Sequence, residues 1–70
     1  MDYSRFDLAS LHYFRSLIVR RVQQLDHSLQ RYEFKRDFFS EKIVDMESEK
    51  KVALSLLESL DVEIFIRSHS

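Results

Sequence analysis

The chain has 70 residues, 44% hydrophobic and 33% charged, with a formal net charge of −1 and no cysteine, glycine or proline. A chain this short makes one domain with a marginal core, and the missing thiols exclude disulfides, cysteine-containing zinc sites and cysteine nucleophiles. The near-neutral balance excludes a global field that would draw the whole molecule to nucleic acid or an anionic membrane.

At the start, Ser4 reads as a helix N-cap, with Asp7 placed to complete a weak capping box, so a first helix is expected over about 5–35. The longest early apolar run, Leu17-Ile18-Val19, is too short for a secretory h-region, and nothing nears the ~20 apolar residues of a membrane span. A soluble, cytoplasmic setting without membrane contact is the expectation.

An apolar series alternating by three and four residues runs the length of the chain. It comprises Leu8, Leu11, Arg15, Ile18, Val22, Leu25, Leu29, Tyr32, Arg36, Phe39, Ile43, Met46, Lys50, Ala53, Leu57, Leu60 and Ile64. Fourteen of these 17 positions are apolar, where composition alone would place roughly seven or eight. That is a heptad stripe, the signature of helices meeting along a seam. Arg15, Arg36 and Lys50 interrupt it. Their long side chains are expected to reach past the seam to water, with a role in fixing register as the alternative.

The stripe passes through residues 36–39 without a break, which suits one unbroken helix. Against this, Phe34 and Phe38 would then stand exposed on the outer face, whereas a turn at about 36–40 could tuck them in. Asp37 and Ser40 are available there to cap a second helix over about 40–66. The tail Val62–Arg67 alternates like a strand but has no strand to pair with, so it reads as the last helical turns, ending in a frayed Ser68-His69-Ser70.

Charge decides the direction of pairing. Arg15 to Arg36 carries six basic residues against Asp26 and Glu33, whereas Glu41 to Glu63 carries seven acids against Lys42, Lys50 and Lys51. Antiparallel packing lays basic on acidic; parallel packing lays like on like. The expected fold is therefore all-α, an αα-hairpin dimerising into an antiparallel four-helix bundle. The alternative is one long helix in an antiparallel coiled-coil dimer.

Enzyme chemistry finds no footing. Glycine-rich phosphate loops are impossible here, and no H-E-x-x-H or G-x-S-x-G occurs. His12, His27 and His69 are too scattered for a ligand set, and Asp26 and His27, as neighbours, point to different helix faces. Glu41, Asp45 and Glu49 share a face and read as a solvated acidic surface. Neither a catalytic residue nor a metal or cofactor site is assigned.

Binding is what remains. Apolar residues outside the stripe gather at both chain ends, and Phe6, Phe14, Leu17, Leu56, Val62 and Phe65 are the expected lining of a dimer core or a partner-binding groove. The partner would be a second copy or the amphipathic helix of another protein, giving a small adaptor, chaperone or regulator. In size and pattern the chain resembles the small helical chaperones of bacterial secretion systems and phage-encoded regulators of host proteins. The alternative function is RNA or DNA binding through Arg20, Arg21, Arg31, Lys35 and Arg36, interleaved with Tyr32 and Phe34. In size and layout the chain is also similar to small helical-hairpin dimers that bind RNA.

Overall fold

The first helix starts later than Ser4 because Asp7 is the better-placed cap. In the computed structural model, which describes residues 3–69, Asp7 is extended (φ −76°, ψ 171°) and its carboxylate accepts a 2.7 Å hydrogen bond from the Ser10 backbone N–H. One orphan amide of the first turn is thereby satisfied. Helix α1 (Leu8–Glu33) follows, and Tyr3–Phe6 forms a separate turn in which the Phe6 N–H donates to the Tyr3 carbonyl at 3.0 Å.

The chain then reverses over residues 34–39 into α2 (Ser40–Ser68), so the single unbroken helix is not what forms. The reversal needs no glycine. Lys35 N–H donates to the Tyr32 carbonyl at 3.1 Å, and Phe38 and Phe39 both donate to the Lys35 carbonyl at 3.0 Å. Phe39 completes the bend at φ −103°, ψ 24°, a sparsely populated region that ordinary L-residues still reach, and no described residue has positive φ. Phe39, rather than Asp37 or Ser40, is the N-cap of α2, and no side chain caps that end. Nor does the turn shelter its neighbours: Phe34 and Phe38 are 78% and 80% exposed. At the far end α2 runs through Ser68, with the His69 N–H donating to the Phe65 and Ile66 carbonyls; Ser70 lies outside the described residues.

The two helices pack antiparallel as a rod of 49 × 17 × 17 Å. Leu11, Ile18 and Leu25 bury one face of α1 at seven-residue spacing, and Ile43, Ala53 and Leu60 answer from α2. Every stripe position except Leu8 and Arg36 is buried or half-buried.

The three charges in the stripe do not simply escape to water. Arg15 bonds Asp61 at 2.6 Å, Lys50 bonds Asp26 at 2.5 Å, and Arg36 forks between Glu33 (2.7 Å) and Glu47 (3.0 Å). Arg15 and Lys50 thus carry ion pairs across the seam, and Arg36 ties the turn to both helices. The pairs are partly exposed, so their contribution to stability is small. Their contribution to register is larger, because slipping one helix past the other separates all three.

Leu60 is fully buried at the centre of this thin core. Leu60→Ala is expected to cost about 2–5 kcal/mol, comparable to the whole stability of so small a chain. Urea titration followed by circular dichroism measures it.

Candidate helix-docking groove

Two helices in contact leave a furrow on either side of their seam. On one side the furrow is apolar. Residues spaced three and four apart share a helix face, so Phe14, Leu17 and Arg21 of α1 form one wall and Glu49, Val52 and Leu56 of α2 the other. The floor is Ile18 and Ala53, both buried in the core. The opening measures about 320 Å³ and lies near the middle of the rod. Leu17 is 41% and Val52 62% exposed, so the walls are apolar surface open to water.

One end of the furrow is closed by charge. Arg21 grips Glu49 through both oxygens: Nε contacts Oε2, and Nη2 donates to Oε1 at 2.9 Å. That bidentate pair holds the Glu49 carboxyl below the usual carboxylate range and raises the Arg21 guanidinium, the side-chain hydrogen bond being the main cause of each shift.

The other end is closed by the start of the chain. Tyr3 folds back and is buried with Leu11 and Leu60, and its ring shares a furrow with Val52, Leu56 and Ser59. Arg67 latches this strap. Its Nη2 donates to the Tyr3 carbonyl at 2.5 Å and its Nη1 to the Phe6 carbonyl, while Glu63 accepts from Nε at 2.9 Å and orients the guanidinium. The Tyr3 hydroxyl is buried with no hydrogen-bond partner among the described residues, a costly arrangement for a polar group.

Of the six residues expected to form one apolar surface, the structure brings three together. Phe14, Leu17 and Leu56 line the groove. Val62 lines a separate, more polar depression beside Tyr3, Ser59 and Glu63. Phe65 stacks on His69 at 4.1 Å, and Phe6 lies in the strap, 38% exposed. A gathering of apolar residues in sequence does not specify a helix face, which is why these three separate. Val52 was missed as a lining residue, although its spacing of four from Leu56 was there to be read. Tyr3 was missed because a residue outside any periodic segment carries no directional signal.

The basic stripe is thinned by pairing. Arg21 and Arg36 are engaged by acids, Lys35 lies 5.8 Å from the Phe34 ring, and Arg20 and Arg31 remain on the exposed surface of α1. At the tip, Tyr32, Phe39 and Phe38 form a chain of ring contacts with centroids 4.8 Å apart. Lys42 lies 4.8 Å from the Tyr32 ring, and its hydrogen bond and charge hold the Tyr32 hydroxyl below the usual phenol range. Among the described residues, no three His, Asp or Glu side chains are arranged to hold a metal ion, and no helix is long and apolar enough to cross a membrane.

No family model matches this sequence, and no curated protein and no solved structure matches it significantly.

Two outcomes are expected here. Tyr3→Phe removes the unsatisfied hydroxyl and is expected to stabilise the fold by about 1 kcal/mol, a rise of roughly 4–8 °C in thermal midpoint measurable by calorimetry. Asp7, held low by the Ser10 amide, and Glu49, held low by Arg21, both have folded values below their unfolded ones. Their stabilisation is complete above the ordinary carboxylate range and is lost as pH falls through the lowered values, so thermal midpoints are expected to drop below about pH 4. Glu49→Gln is expected to shrink that drop.

Proposed function

We propose that this chain is a non-enzymatic helical adaptor, chaperone or regulator that acts by packing an apolar helix face into the groove between α1 and α2. The observation that carries this reading is the groove itself: apolar walls at Leu17 and Val52, left open to water in the middle of a rod that has no second layer. An amphipathic helix presents side chains at i, i+3, i+4 and i+7, which is the periodicity of the two walls. Each Leu- or Phe-sized side chain seated there is worth roughly 1.5–3 kcal/mol of burial, against which the entropy lost on association is set.

Nucleic acid is the weaker reading. The five candidate cations include two already neutralised by acidic partners, and phosphate binding scales with the cations free to release counterions.

A photo-crosslinking residue placed at Val52 tests the proposal. Position 52 is expected to label a helical partner, while the same residue at Val44, 58% exposed on another face, is not. Leu17→Asp is expected to weaken capture at least tenfold with helicity intact; Arg20→Gln is expected to leave it unchanged. Loss of binding in the arginine variant alone, with salt-sensitive RNA or DNA binding, would favour the alternative.

A further inference from the structure

The surface of the rod is too large for a molecule of its mass. A folded monomer of 8.5 kDa exposes roughly 4,650 Å² by the usual area–mass relation, whereas this chain exposes 5513 Å². The excess, about 850 Å², is close to the ~800 Å² that each partner buries in a standard protein interface. It is also roughly the area of one long side of a rod measuring 49 by 17 Å. An area of that size matches what one partner contributes to a standard interface, and the groove side is the apolar one.

The charges say by what, and in which direction. Along the groove side, α1 continues from Phe14 and Leu17 to Arg31 and α2 carries Asp45 below Val52 and Leu56, while Arg21 and Glu49 bond each other within the chain. Two copies meeting about an axis perpendicular to the rods would lay α1 on α1 and α2 on α2, basic on basic and acidic on acidic. Two copies related by an axis parallel to the rods lay each α1 on the other copy's α2. Leu17 of each copy then meets Val52 of the other at the same height, and the basic run of α1 meets the acidic run of α2. All neighbouring helices remain antiparallel. A net charge of −1 adds little repulsion between copies.

We infer that the occupant of the groove is a second copy of this chain, packed groove to groove about a two-fold axis parallel to the rods, with the two hairpin tips side by side. This rests on the reading of the groove as a helix-docking face and names its partner.

The absence of cysteine makes the test clean, because a single introduced cysteine is the only labelling site. Asp37→Cys, carrying a spin label at the tip, is expected to give an inter-label distance within about twice the 17 Å rod width. A distance near the 49 Å rod length would mean head-to-tail pairing and would overturn the arrangement. Light scattering is expected to show a dimer that Leu17→Asp or Val52→Asp converts to a helical monomer, with Val44→Asp still dimeric. A wild-type monomer at hundreds of micromolar would overturn the inference while leaving groove binding of a foreign helix intact. A dimer untouched by both groove variants, with position 52 crosslinking to nothing, would sink both readings.

Discussion

Everything in this molecule depends on a seam that two helices close only halfway. Leu11, Ile18 and Leu25 meet Ile43, Ala53 and Leu60, and these buried residues, with Tyr3, make up the core. Two cylinders in contact cover one stripe of each other and leave furrows on both sides. Apolar side chains that flank the stripe must therefore be covered by something else. The chain answers this in part by itself, folding Tyr3 back over the open end and latching it with Arg67. The middle of the groove stays uncovered.

Ion pairs play a different part from the seam. Partly exposed pairs add little free energy, yet Arg15–Asp61 and Asp26–Lys50 join opposite helices at two heights along the rod, and Arg36–Glu47 ties the turn to α2. A heptad seam alone tolerates a slip of seven residues, since apolar meets apolar again. Charges at fixed heights do not tolerate it. Arg21–Glu49 adds a fourth tie and marks the end of the apolar groove, so one pair serves both register and site.

Much of the fold was legible because helix periodicity is a local property written in every residue. The heptad stripe and the basic-then-acidic order predict two antiparallel helices, and the described helices span most of the two ranges expected. What periodicity could not supply were the ends. Asp7 and Ser4 are both competent caps, and Asp7 is the one whose carboxylate reaches a first-turn amide. At the turn, Phe39 bends without a capping side chain, and Phe34 and Phe38 stay exposed because six connecting residues in tight turns leave no space beneath them.

The candidate site was legible by half. Phe14, Leu17 and Leu56 converge because they flank the seam on the same side, while Val62 and Phe65 occupy other faces of α2. By itself the sequence determined the helical class, the antiparallel sense and the apolar stripe, since each follows from composition and spacing along one chain. Only the tertiary structure decided which side of the seam became a groove, that Tyr3 and Arg67 close its end, and which arginines are already paired. Those depend on distances between residues far apart in the chain, and such distances exist only once the two helices have packed.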